Sequence, residues 1–151
     1  MAERFAAGAQ DAQAPGGPVA IVLDTDVIIR DERKTFDLKR WVASQPGEQF
    51  QIAAITVAEL WHGAERATGA FKAEREAYIG RILRSVRILP YTETTAMEHA
   101  RIWAELESSG KMIGSYDLIV AATALDRGSA VATFNARHFS QVRGLKVIGP
   151  T

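Results

Sequence analysis

Short apolar runs alternating with stretches of helical spacing constrain this chain more than any other feature. The first run, Val19-Ala-Ile-Val-Leu23, stops at Asp24-Thr25-Asp26, as a buried strand does where it reaches the edge of a sheet. Further strands are expected at residues 51–55, 86–89, 130–133 and 146–148, with helices at 27–30, 36–44, from 56 to about 66, 71–85, 92–109 and from 117 to about 125. Strands that alternate with helices close into a parallel sheet through right-handed crossovers. The expected fold class is therefore α/β, in three layers, with a central parallel sheet of about five short strands flanked by helices.

The helical stretches carry local signals of their own. Thr56-Val-Ala-Glu59 has the spacing of a capping box and is expected to open its helix. In residues 71–85, Tyr78, Ile79, Ile82 and Leu83 share one face against Lys72, Glu74, Arg75 and Arg81, which predicts an amphipathic surface helix. In residues 92–109, Met97, Ala100, Trp103 and Leu106 are expected to face inward, and the run after Asp117 is apolar on nearly every side, as suits a helix packed on a sheet. Residues 1–18 hold six Ala, three Gly and two Pro without hydrophobic period, so they read as a flexible leader and residues 19–151 as the folded domain.

Composition narrows the chemistry. The chain has no cysteine, which excludes disulfides, thiolate nucleophiles and sulfur-bound metals. Its three histidines, His62, His99 and His138, stand in no zinc-binding pattern, so any metal would be held by oxygen. With 18 basic and 18 acidic residues the formal charge is zero, which argues against bulk electrostatic capture of nucleic acid. The charges are unevenly spread: residues 127–151 hold Arg127, Arg137, Arg143 and Lys146 and no acid, whereas residues 92–107 hold four glutamates against Arg101. No apolar run approaches the roughly 20 residues that span a bilayer, and a cytoplasmic protein without membrane association is expected.

Ligands of a parallel sheet gather outside the carboxyl ends of its strands. Asp24 and Asp26 follow the first strand, Glu59 lies a turn beyond the second, Asp117 opens the central helix and Asn135 lies just past the fourth strand. Carboxylates converging in a partly dry cleft repel one another, and a hard divalent cation is the usual remedy. Each acid also has a structural use: Asp26 as an N-cap, Glu59 as the last member of the capping box, Asp117 as a charge on the positive end of a helix. Asp24, ending an apolar strand, has the weakest such alternative.

Four ordered segments, Leu23-Asp-Thr-Asp-Val-Ile28, Ile55-Thr-Val-Ala-Glu-Leu60 with Gly63-Ala-Glu-Arg66, Gly114-Ser-Tyr-Asp-Leu-Ile-Val-Ala-Ala122 and Thr133-Phe-Asn-Ala-Arg-His-Phe139, resemble the successive motifs of PIN-domain ribonucleases, and more narrowly the VapC toxins of toxin–antitoxin pairs. The resemblance covers residues 21–148 and implies a PIN-like fold. It also implies a Mg²⁺-dependent endoribonuclease, with Mn²⁺ as substitute, that cleaves structured RNA such as tRNA or rRNA. The metal-binding acids then map onto Asp24, Glu59 and Asp117. Asn135 stands at a fourth catalytic position where many relatives carry an acid; its neutral carbonyl oxygen adds no charge, so one tight metal site is expected. Asp26, Thr25, Thr56 and Thr133 are expected behind the ligands or against substrate.

The resemblance further implies a VapB-like antitoxin whose basic tail occupies the acidic cleft, and a homodimer that assembles with it into a heterotetramer or a larger complex. The tail's apolar residues would dock beside the helices holding Phe36, Leu38, Trp41, Leu60 and Trp61. Two other readings start from the same residues. Phosphatases of the haloacid dehalogenase type also begin with an apolar strand and Asp-x-Asp, although they need a later acidic pair where this chain has Thr133-Phe-Asn135. A non-catalytic PIN-like binding module would follow if Asn135 left the site unable to hold metal.

Overall fold

The computed structural model describes residues 19–151, and the leader expected at 1–18 lies outside them. Among the described residues there are five strands, β1 (Ala20–Leu23), β2 (Gln49–Ala53), β3 (Arg87–Leu89), β4 (Ala130–Ala132) and β5 (Val147–Ile148). The helices are α1 (Thr25–Glu32), α2 (Leu38–Ala43), α3 (Ala54–Arg66), α4 (Gly69–Ser85), α5 (Glu93–Ser108), α6 (Ser115–Arg127) and α7 (Ala136–Phe139). All strand pairs are parallel, in the order β3-β2-β1-β4-β5. The α/β class and the parallel sheet expected from the alternation of runs are thus present.

β1 lies at the centre because it is the strand most able to be covered on both sides: Ile21, Val22 and Leu23 are each 1% exposed or less. Its alternating side chains divide the core in two. Val22 joins Leu89 and Val131 under α5 and α6, packed on Ile102, Leu106, Leu118 and Val120. Ile21 and Leu23 point the other way, into Val27, Ile28, Trp41, Leu60 and Ile79 from α1 to α4. The result is helix, sheet, helix. At the end of α6, Gly128 adopts φ 66° and closes the helix in the left-handed conformation that lets the chain turn straight into β4.

Three local expectations need correction. α3 begins at Ala54, not at Thr56, and has no side-chain cap, so Thr56 and Glu59 form no capping box; β2 correspondingly ends at Ala53 rather than residue 55. On α5, Thr95, Ile102 and Leu106 are the buried residues, while Met97 and Trp103 are 65% and 49% exposed. The N-cap of α1 is Asp24 and not Asp26. The uneven charges find each other in space: Arg143 of the basic stretch bonds Glu105 of α5 at 3.1 Å, and Arg101 bridges Glu98 and Glu105. No helix among the described residues is long and apolar enough to cross a membrane.

Candidate functional site

From β1 the chain crosses to β2 on one side, while β4 lies on the other, so connections diverge between the carboxyl ends of β1 and β4, the place where open parallel sheets take their ligands. Asp24 terminates β1 at that point. Its backbone N–H extends the β1–β4 ladder by bonding Ala132 O at 2.9 Å. Its carboxylate accepts from Thr25 N–H at 2.8 Å and from the Thr133 hydroxyl at 2.8 Å. It is 5% exposed, and both of these donors are neutral. Burial, followed by the charges of Asp26 and Asp117, pushes its pKa up to about 7, against the opposing help of Thr133 and Thr25.

Asp26 sits in the first turn of α1 and accepts the Phe134 N–H at 3.1 Å. That bond ties α1 to the loop after β4. Burial raises its pKa, Asp117 adds to the rise, and the Phe134 N–H and the charge of Arg30 oppose it. In the same loop Thr133, fully buried, accepts from Asn135 N–H at 2.9 Å while donating to Asp24. One hydroxyl therefore sets both the acid of β1 and the backbone of Asn135.

Glu59 enters from α3. The Thr25 hydroxyl donates to its Oε1 at 2.7 Å, and the Thr25 and Thr56 hydroxyls are 3.2 Å apart, both residues buried. Glu59 is thus positioned by α1 rather than by the start of its own helix. Burial raises its pKa, and Asp117 raises it further. Asp117 lies in the first turn of α6, and its pKa is raised by burial and eased by His138.

The structure accordingly places Asp24, Asp26 and Glu59 each within electrostatic reach of Asp117, and Asp24 within reach of Asp26, with Thr25, Thr56 and Thr133 bonded behind them. Asn135, which ends the loop after β4, presents its amide Nδ2 to His138 Nδ1 at 2.9 Å. His138 also lies 3.8 Å from Asp117 Oδ2. Sequence reasoning passed over His138; its spacing of three from Asn135, across the start of α7, was the available signal. His62, by contrast, is exposed on α3.

These donors are all oxygens on partly buried carboxylates, the chemistry that suits a hard divalent ion. As they stand, no three acidic or histidine side chains among the described residues are drawn close enough to ligate one ion. Burial first, and neighbouring acids second, raise the pKa of Asp24, Asp26 and Glu59, and burial alone raises that of Asp117; a cation among them would offset both costs. The donor set therefore fits Mg²⁺ or Mn²⁺ better than zinc, which would call on nitrogen or sulfur.

A family model of the PIN domain matches residues 21–145. The chain is 30% identical to ribonuclease VapC1 of Rickettsia felis over 131 residues, covering 86% of this chain and 96% of that one. It is 34% identical over 139 residues to the VapC ribonuclease Y4jK of Sinorhizobium fredii, with the same coverage. Among solved structures, DNA-bound VapBC from Salmonella typhimurium superposes with a TM-score of 0.79 at 27% identity, over 87% of this chain and 98% of that one.

Proposed function

Since the chain belongs to the PIN-domain family, in its VapC branch, we propose that it is an endoribonuclease toxin, dependent on Mg²⁺ or Mn²⁺ and directed at structured RNA such as tRNA or rRNA. One observation carries the reading: Asp24, Asp26, Glu59 and Asp117 gather near the carboxyl ends of β1 and β4, partly buried and held there by threonine hydroxyls, backbone N–H groups and a histidine. A partly buried cluster of acids is costly to a fold and useful to a site.

Asp24, Glu59 and Asp117 would hold the ion, and Asn135 would add a neutral oxygen. A divalent cation there supplies the Lewis acidity that phosphodiester hydrolysis needs. The remaining residues hold the ligands in place. Thr133 fixes the Asp24 carboxylate, Thr25 fixes Glu59 with Thr56 against it, and Asp26 anchors the loop that carries Asn135. The test incubates the purified chain with tRNA, rRNA and a phosphomonoester, in Mg²⁺, Mn²⁺ or EDTA. RNA cleavage is expected only with an ion, and Asp24→Asn or Asp117→Asn should abolish it. Turnover of the phosphomonoester alone would favour a phosphatase, and cleavage of nothing would leave a binding module.

The partner proposed is a VapB-like antitoxin whose basic tail places a guanidinium across Asp24 and Asp117, where a bidentate pair replaces the cation. Of the side chains expected to meet its apolar residues, Leu38, Trp41 and Leu60 are buried in the core, which leaves the half-buried Phe36 and Trp61. The second partner is another copy of the chain, for which the exposed Met97 and Trp103 of α5 supply an apolar face. Together they would give a heterotetramer or larger complex. Replacing the tail arginine by alanine should release nuclease activity; unchanged inhibition would mean that the cation is not what blocks the site.

A further inference from the structure

A cleft carrying four carboxylates repels a polyanionic strand, so the strand must be gripped by positive charge placed close to the acids but not cancelled by them. Arg30 meets that description. It follows Asp26 by four residues on α1, the spacing that puts both side chains on one face of the helix, and its charge is felt at Asp26. The residue is exposed, and among the described residues its guanidinium makes no hydrogen bond and no ion-pair contact.

Yet the guanidinium is not loose. It lies over the Phe134 ring, 4.1 Å from the centroid. Phe134 is itself fixed twice, by its N–H on Asp26 and by an edge-on contact with Phe36 at 5.1 Å. Phe36 in turn meets Trp41 at 6.2 Å, and buried Trp41 meets Phe50 at 5.5 Å. A ladder of rings thus runs from the core to the cation. A charge serving only the last turn of α1 would need no ring beneath it. A guanidinium resting over a ring keeps the N–H groups that do not face the ring open to solvent, and its fork of donors matches two oxygens of a phosphate.

We propose that Arg30, seated over the Phe134 ring, grips a backbone phosphate of the RNA strand lying over the acid cluster. The identity of the strand rests on the ribonuclease reading above; the placement of the cation does not. Loop residue Phe134 then couples the two halves of the site, its amide holding an acid and its ring holding the cation that offsets it.

The test measures binding of a labelled single-stranded RNA oligonucleotide by fluorescence anisotropy, in EDTA so that no strand is cut, across roughly 50–200 mM salt. Arg30→Ala should weaken binding about tenfold at the low-salt end and reduce the slope of log affinity on log salt by about 0.7, the loss of one phosphate contact on a single strand. Arg30→Lys should keep the slope while losing part of the affinity, because the charge remains and the planar fork does not. Phe134→Leu should behave like Arg30→Lys. Unchanged affinity and slope in Arg30→Ala, or no binding by the unaltered chain, would overturn the assignment. If Arg30→Ala keeps its RNA affinity but loses affinity for the protein encoded beside it, Arg30 belongs to the partner interface instead. Cleavage assays in Mn²⁺ on the unaltered chain separate the two readings. Cleavage with Arg30-independent binding sinks only the present assignment, and Arg30-dependent binding without cleavage sinks only the ribonuclease.

Discussion

Asp24 combines two demands that conflict: it caps α1 with a carboxylate, and it holds that carboxylate in a buried place beside two other acids. Its native pKa, about 7, lies above its ordinary value of 3.8, so the folded chain binds this proton more tightly than the unfolded chain does. The stability it contributes is complete below about pH 4 and is lost as pH rises through about 7; Asp26, Glu59 and Asp117, also raised, act in the same direction. In EDTA the melting temperature should therefore fall from pH 5 to pH 8, other groups being equal. Asp24→Asn keeps a good cap while removing the charge, so it should flatten that fall. At pH 8 it should raise Tm by about 2–4 °C for each kcal/mol relieved of the cost of burying this charge beside other acids. A lower Tm at pH 8 would show that the carboxylate's hydrogen bonds outweigh its repulsion. By the same protons, Mn²⁺ should stabilise the unaltered chain in proportion to the logarithm of its concentration, and less at pH 5.5 than at pH 8.

At the scale of elements, the strands and their order of appearance were legible because burial on both faces leaves an unbroken apolar run, as in Ile21-Val-Leu23. Asp24 and Asp117 were legible as candidates because each breaks such a run at an end where a parallel sheet gathers ligands. The Thr56–Glu59 pair misled because the same two residue types serve a capping box or a tertiary link equally well; here Thr25, thirty-four residues from Glu59, decides. α5 misled for a different reason. Its buried face includes Thr95, whose hydroxyl bonds Asp126 at 2.9 Å, so the apolar stripe of the sequence and the inward face of the helix are out of phase. His138 and Arg30 were harder to read beside the acids because each acts across elements, one from α7 toward α6 and the other from α1 toward the loop after β4; for His138 the spacing from Asn135 is a local signal, and the contact of Arg30 with Phe134 has none. The link between α1 and α3 can be measured. Thr25→Val keeps the shape and removes the hydroxyl, and should cost about 1–2 kcal/mol in urea unfolding, because the bond to Glu59 is to a charged group. Combined with Glu59→Gln, the loss should be less than additive; full additivity would place the effect elsewhere.

For the molecule as a whole, the face of α5 that the core does not use is where a second copy would sit. Met97 and Trp103 lie on it, and Trp103 stacks on His99 with ring centroids 5.7 Å apart. Trp103→Arg should convert a dimer to a monomer in sedimentation velocity without lowering Tm by more than a few degrees, since the side chain contributes little to the monomer's core. An unchanged dimer would move the interface off α5. The bond between Thr133 and Asp24 spans 109 residues of chain. While the protein is being made, Asp24 therefore exists without the hydroxyl that fixes it, for roughly 5–20 s at ordinary rates of about 5–20 residues per second. A nascent chain stalled between residues 59 and 117 carries three of the four acids, and one stalled between 117 and 130 carries all four, yet both lack the strand against which they are arranged. The ribosome, whose own RNA is of the class this site is proposed to cut, is thus spared an assembled site on its unfinished product.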